Sequence, residues 1–323
     1  MAWNIGANDL ANSMGDVIGS KALNTRQVII VAGILNFLGA TFLGSRVTST
    51  VAGGIVPISS IDAHLVTLGC LSALFSAGLW VTCATFFRLP VSTSHSVVGA
   101  MLGFGICCAL MGVIGFDEIS WGVFGKVVIS WILSPLVGMA LAFLIYKMVV
   151  RFIISRGDGE ERLERGIFRY LVIASSCYQA FSFGSNDVAN AIAPMSAVLG
   201  NTGGEVPTWI LAFGGFGIVV GLSTWGYRVM MTLGERITEL KPSRGFSADI
   251  ACATTILVCS SFGMPVSTTH TIVGSVIGVG LARGFDAVDF GTVKSILYSW
   301  LATVPAAAVV SMAIFTTLVK IGL

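Results

Sequence analysis

GANDLANSMG (6–15) is answered later in the chain by GSNDVANAIAPM (184–195). Asn8, Asp9 and Asn12 of the first stretch recur as Asn186, Asp187 and Asn190 of the second. These oxygen-bearing side chains stand among apolar residues, and no Lys or Arg lies within one helical turn of either Asp. On a helix Asn8 and Asn12 share a face, with Asp9 one turn before Asn12. An ionised Asp inside a membrane is costly and marks an ion or proton path. Carboxylate, amide and backbone oxygens together make a ligand set for a hard cation of the sodium type. Gly6 and Gly184 precede the two clusters, and the sequence predicts a helix break there that frees backbone carbonyls. The plainer alternative is that the amides and carboxylates join helices by hydrogen bonds. Duplication of the whole pattern favours the ion site.

The rest of the chain sets that cluster in a bilayer. Of 323 residues, 55% are hydrophobic and 11% charged, with mean hydropathy +0.90, whereas soluble domains carry about 25% charged residues. Apolar runs at 26–44, 63–86, 94–115, 122–150, 207–226 and 291–319 approach or exceed the roughly 20 residues that a membrane-spanning helix requires. Short alternating segments of the β-barrel kind are absent. The expectation is an all-α polytopic membrane protein. A net charge of +2 with no isolated basic run gives no sign of a nucleic-acid partner. The seven cysteines form no CxxC pair and read as small buried residues. The N-terminus has no basic region or apolar core of the signal-peptide kind.

A second motif is also used twice. LPVSTSHSVVGAMLGFG (89–105) aligns with MPVSTTHTIVGSVIGVG (264–280), matching Pro90, Ser92, Thr93, His95, Gly99 and Gly103 with Pro265, Ser267, Thr268, His270, Gly274 and Gly278. GFDEISWG (115–122) matches GFDAVDFG (284–291), which puts Trp131 on Trp300. Offsets of 178, 175 and 169 residues divide the chain into two homologous halves, 1–150 and 168–323, joined by a charged linker at 151–167. Met1 falls opposite Gln179, so the first half has no counterpart of IFRYLVIASSCY (167–178).

Basic residues mark the cytoplasmic side of a membrane protein. The linker region carries Arg151, Arg156, Arg162, Arg165 and Arg169, and the loop around 227–245 carries Arg228, Arg236, Lys241 and Arg244. The matching first-half loop, 45–62, has only Arg46. Placing Lys21, Arg26, Arg88 and the linker inside gives five crossings per half. That odd number predicts two inverted repeats, about ten or more membrane segments with broken or re-entrant helices, and a shared site near the midplane. The short apolar pair 246–262 and 269–283 reads as a candidate re-entrant hairpin.

P-V-S-T-[ST]-H has the form of a helix start, with Ser or Thr as cap and Pro just ahead. Free N–H groups and the positive dipole end favour an anion there. Hydroxyls of Ser92, Thr93, Ser94, Ser267, Thr268 and Thr269 add donors. An ordinary capped helix is the alternative. His95 and His270 read as supporting hydrogen-bonding residues, Gly99, Gly103 and Gly105 as sites of close helix packing, and Arg46 and Arg228 as side chains reaching the interface or drawing anions to the mouth. Asp117 and Asp286 read as solvated loop residues.

One cation-type cluster and one anion-type helix start in each half suit symport of a tetrahedral oxyanion with cations. Amide-lined carboxylates favour sodium as the coupling ion, and the histidines keep protons as the alternative. Sulfate is one candidate oxyanion, and a passive anion channel is another reading. Neither HExxH nor GxSxG is present to support an intramembrane enzyme.

GANDLANSMG with GSNDVANAIAPM, and PVSTSH with PVSTTH, resemble the two duplicated signatures of the inorganic phosphate transporter (PiT) family. The likeness covers essentially the whole chain. It implies an inverted-repeat, dimeric symporter of the cell membrane that moves inorganic phosphate with sodium or protons. It also implies that Asn8, Asp9, Asn186 and Asp187, with Ser92, Thr93, Ser267 and Thr268, line the site. Family members carry an apolar lead-in ahead of the first motif, which this sequence lacks.

Overall fold

The computed structural model describes all residues except 87–90, 157–159, 202–203, 228–240, 285–287, 289 and 323. Arg88, Pro90, Arg228, Arg236 and Asp286, singled out above, lie outside the described residues. The described residues form helices joined by turns, with no strand. The first half holds α1 (Ala2–Gly19), α2 (Thr25–Leu43), α3 (Ser45–Gly53), α4 (Ala63–Phe86), α5 (Thr93–Leu110) and α6 (Trp121–Phe152). A six-residue linker helix, α7 (Glu160–Arg165), leads to α8 (Ile167–Val198), α9 (Thr208–Gly221, continued by a π-turn to Gly226), α10 (Pro242–Ser261), α11 (Thr268–Arg283) and α12 (Phe290–Lys320).

Six helical stretches among the described residues are long and apolar enough to cross a membrane: Thr25–Leu43, Ala63–Phe86, Thr93–Leu110, Trp121–Phe152, Thr208–Gly226 and Trp300–Lys320. They correspond to the six apolar runs read from the sequence. Several keep large apolar side chains on the surface, among them Phe75, Ile129, Phe213 and Leu301, as lipid-facing helices do. The helices that carry the Asn/Asp motif are different. Most of α8 from Gln179 to Ala197 is buried, and its buried residues include Ser175, Ser176, Gln179, Asn186, Asp187 and Asn190. A helix sheathed by other helices faces little lipid, so its sequence carries small and polar residues instead of a hydropathy peak.

No helix break occurs at Gly6 or Gly184: α1 and α8 run through both positions. The glycines serve close crossings. A Cβ at Gly6 would overlap the Ile218 carbonyl of α9, and one at Gly184 would overlap the Asn36 carbonyl of α2. The expected close packing at Gly99 and Gly103 is present against Val304 and Ala308 of α12, and that at Gly274 and Gly278 against Pro135 and Met139 of α6. Equivalent positions thus make equivalent contacts. Each of these crossings also pairs an element of one half with an element of the other, so the halves interleave. The hydrophobic core follows suit: one cluster joins α1 and α2 to α8 and α9, and another joins α6 to α10 and α11.

The pair at 246–262 and 269–283 forms the hairpin α10–α11, matched in the first half by α4–α5. The hairpin tips, where the second motif lies, meet: the Ser94 hydroxyl donates to the Val266 carbonyl at 3.0 Å.

Candidate functional site

Asp187 sits midway along α8 and is 1% exposed. Its Oδ1 accepts from Asn186 Nδ2 at 2.9 Å and from Asn190 Nδ2 at 3.2 Å. Asn186 also clamps the α10–α11 tip, donating to the Val266 carbonyl at 2.8 Å and accepting from the Val266 N–H at 3.2 Å. Asn190 reaches into the first half, where its amide donates to Ser94 Oγ at 2.9 Å and Thr93 Oγ1 at 3.4 Å. The first-half cluster repeats the pattern more loosely. Asp9 Oδ1 accepts from Asn8 Nδ2 at 3.0 Å and Asn12 Nδ2 at 3.5 Å, and Asn12 reaches Thr269 Oγ1 of the second half at 3.5 Å.

The two clusters are one site. The Asp9 and Asp187 carboxyl groups lie close enough to interact, and Thr268 stands beside Asp187. No Lys or Arg pairs with either among the described residues. Asp9 Oδ2, Asp187 Oδ2 and Asn190 Oδ1 are buried without a hydrogen-bond partner. Buried polar oxygens are almost always paired, so three orphans around two uncompensated carboxyls form a donor set suited to a hard cation.

The hydroxyls of the second motif divide by role. Ser92 and Ser267 are N-caps: each Oγ accepts at 3.2 Å from the backbone N–H three residues on, at His95 and His270 respectively. Ser94 is engaged with Val266 and Asn190. Thr93, Thr268 and Thr269 stand at the helix starts, against the Asn/Asp clusters. Two buried helix N-termini therefore converge on the carboxyl pair, and N-termini attract anions. The histidine rings meet each other and the aligned tryptophans: His270 stacks on Trp300 with centroids 3.4 Å apart, His95 meets His270 edge-on at 4.3 Å, and His95 lies tilted against Trp131 at 3.8 Å.

Two further carboxyls join the site: Asp249, which the sequence reading missed, and Asp16, which the repeat did not single out. Asp249 of α10 is 2% exposed and accepts from Ser176 Oγ at 2.6 Å and Ser175 Oγ at 3.0 Å. Asp16 of α1 interacts with it directly. Between this pair and the first stands Gln179, whose Nε2 donates to the Asn12 carbonyl at 3.2 Å while its buried Oε1 has no partner. A signal existed: Asp16 follows Asp9 by seven residues, which puts both on one helix face. Asp16 has no acidic counterpart in the second half, so the repeat hid it.

An all-helical, membrane-type fold with a duplicated polar centre buried between its halves is the architecture of a membrane transport protein. The profile of the phosphate transporter family matches residues 5–311, and the chain belongs to that family. It is 39% identical to a protein of Thermococcus kodakarensis named as a phosphate permease, over 100% of this chain and 96% of the relative. It is 35% identical to inorganic phosphate transporter 2-1, chloroplastic, of Arabidopsis thaliana, over 97% of this chain and 69% of that one. A solved structure described as the sodium-dependent phosphate transporter superposes with a TM-score of 0.89 at 35% identity, covering 100% of this chain and 97% of its own.

Proposed function

We propose that this protein is a secondary active transporter that carries inorganic phosphate across the cytoplasmic membrane together with sodium. The observation that carries the reading is the crosswise meeting of the motifs. Asn190 binds Ser94 and Thr93, and Asn12 binds Thr269, around carboxyl oxygens that nothing in the protein satisfies. Sodium ions held by Asp9 and Asp187, with Asn8, Asn12, Asn186 and Asn190 as companions, neutralise the carboxyls. Phosphate then meets the N-termini of α5 and α11 and the hydroxyls of Thr93, Thr268 and Thr269. With the carboxyls uncompensated, phosphate would face two negative charges at short range, so anion and cation bind well only together. That dependence is the coupling.

His95 and His270 pack against each other and against Trp131 and Trp300, and no hydrogen bond joins either ring to Asp9 or Asp187 among the described residues, which supports sodium over protons. Asp16 and Asp249 continue the line of carboxyls towards the linker and give the cation a second stop. Matched crossings between the halves, α1 on α9 with α8 on α2 and α5 on α12 with α11 on α6, support an inverted repeat. The basic residues around α7 support a cytoplasmic linker. The family resemblance supports a homodimer.

Counterflow tests the transport class. Proteoliposomes preloaded with unlabelled phosphate should accumulate labelled phosphate transiently above equilibrium in sodium buffer, and external sulfate should compete poorly. Influx indifferent to internal phosphate would identify a channel, and equal competition by sulfate would broaden the substrate to oxyanions in general.

A further inference from the structure

A cavity of about 930 Å³ lies apart from the carboxyl centre, walled by helix ends and turns: the end of α2, the start of α3, the end of α10 and the segment before α9. Its location follows from chain lengths. α8 leaves the linker at Ile167 and ends at Val198, and its 32 residues span about 48 Å of helix. α10 starts beside the linker helix, where Glu164 accepts from the Ser243 N–H at 2.9 Å, and ends at the cavity. The cavity therefore opens on the face opposite the linker.

Its polar lining is mixed. Arg46 donates through Nη1 to the Ser261 carbonyl at 2.6 Å, which fixes the guanidinium against the cavity wall. Arg46 has no ion pair among the described residues, and its remaining N–H groups are uncommitted there. Ser260 is 2% exposed, lines the same cavity, and its hydroxyl has no partner. Ser49 and Thr50 add hydroxyls, and Glu205 adds one opposing carboxylate. The floor is the turn Ser260–Gly263, closed by the Gly263 N–H donating to the Ser260 carbonyl at 2.9 Å, with Gly263 at φ +69°. That turn continues through Pro265 and Val266 into the cap Ser267, so the cavity and the carboxyl centre lie on either side of one short stretch of chain.

We propose that this cavity is a capture site for a small oxyanion ahead of the transport centre, with Arg46 as the attracting charge, Ser260 as a hydroxyl donor and Glu205 as the group that limits how tightly the anion is held. The inference rests on the reading above that phosphate is the cargo. A guanidinium at a cavity mouth raises the local concentration of anions and their rate of arrival, an effect that salt weakens. A lone carboxylate in the same lining, on the segment that Val206 N–H ties to Ser45 Oγ at 2.9 Å, keeps the site from becoming a trap.

The test uses the full-length protein in phosphatidylcholine vesicles and follows initial rates of labelled inorganic phosphate uptake at fixed sodium. Arg46→Gln should raise the phosphate KM about fivefold with kcat unchanged, Arg46→Lys should restore most of it, and the difference should shrink as choline chloride is added. Glu205→Gln should lower KM. These opposite signs are not expected of two merely structural residues. Unchanged KM in both variants, or loss of kcat alone, overturns the capture site. An Arg46 effect seen only when the vesicles contain anionic lipid overturns it too, by identifying the arginine as a headgroup anchor. Absence of phosphate uptake by the unaltered protein overturns the cargo reading as well, which separates the two failures.

Discussion

Asp187→Asn is the sharpest perturbation of the cation centre, because it removes charge while nearly keeping shape. The asparagine Oδ1 can accept from Asn186 and Asn190 as the aspartate does now at 2.9 and 3.2 Å. Its Nδ2 then takes the place of the unpartnered Oδ2, beside Thr268, and faces Asp9 without like-charge repulsion. Without sodium the variant should therefore be at least as stable as its parent. With sodium the two should diverge. A unit charge pair near 4 Å is worth about 4 kcal/mol at an effective dielectric of about 20, which at about 1.4 kcal/mol per decade weakens cation binding about a thousandfold. In detergent, sodium at about a hundred times its Kd should stabilise the parent by about 2.7 kcal/mol. The sodium-dependent rise in Tm should vanish in the variant, together with phosphate uptake. A variant that folds, keeps the parent's rise in Tm and keeps sodium-dependent uptake would refute the reasoning.

Further expectations concern the other parts of the site. Thr93→Val with Thr268→Val should raise the phosphate KM, since each charge-assisted hydrogen bond lost costs about 1.5–3 kcal/mol; an unchanged KM would confine these threonines to structural roles. Ser92→Ala and Ser267→Ala should each cost about 1 kcal/mol of stability through the lost cap, read as a lower Tm, with a smaller effect on KM than the threonine pair. Gly184→Val should cost about 1–3 kcal/mol or more through overpacking against Asn36, so its Tm should fall well below that of Gly204→Val, where a Cβ meets nothing within 4 Å. Asp249→Asn should alter the sodium dependence of transport more than the phosphate KM; the reverse pattern would remove Asp16 and Asp249 from the cation path.

Hydropathy revealed the helices that face lipid, and the buried α5 with them, but missed α1 and α8, which carry the Asn/Asp motifs. In α12 the apolar window is 22% buried and in α6 28%, so lipid sets their composition and the runs stand out. α8 is sheathed by other helices, and its Ser, Asn and Asp residues dilute the signal. The repeat made up for this at the motifs, since matched residues point to a site whatever their hydropathy. Repetition also misled in two places. The paired Gly6 and Gly184 suggested broken helices, because a glycine ahead of a polar cluster reads the same whether it frees a carbonyl or admits a neighbouring backbone; only the position of Ile218 and Asn36 decides. Asp16, which aligns with Pro194, lay beyond the reach of the symmetry argument, and Asp249 went unread, although the two interact in space. The tryptophans beside the histidines were visible as an aligned pair, but not that the four rings would pack against one another.

The central claim is that two amide-lined carboxyls bind sodium and thereby admit phosphate. Its most direct test is uptake of radiolabelled phosphate into proteoliposomes under separately imposed gradients. An inward sodium gradient at equal pH on both sides should drive accumulation, with uptake rising more steeply than linearly in sodium because the carboxyl cluster is duplicated. Full accumulation driven by a pH gradient in sodium-free buffer would contradict the account.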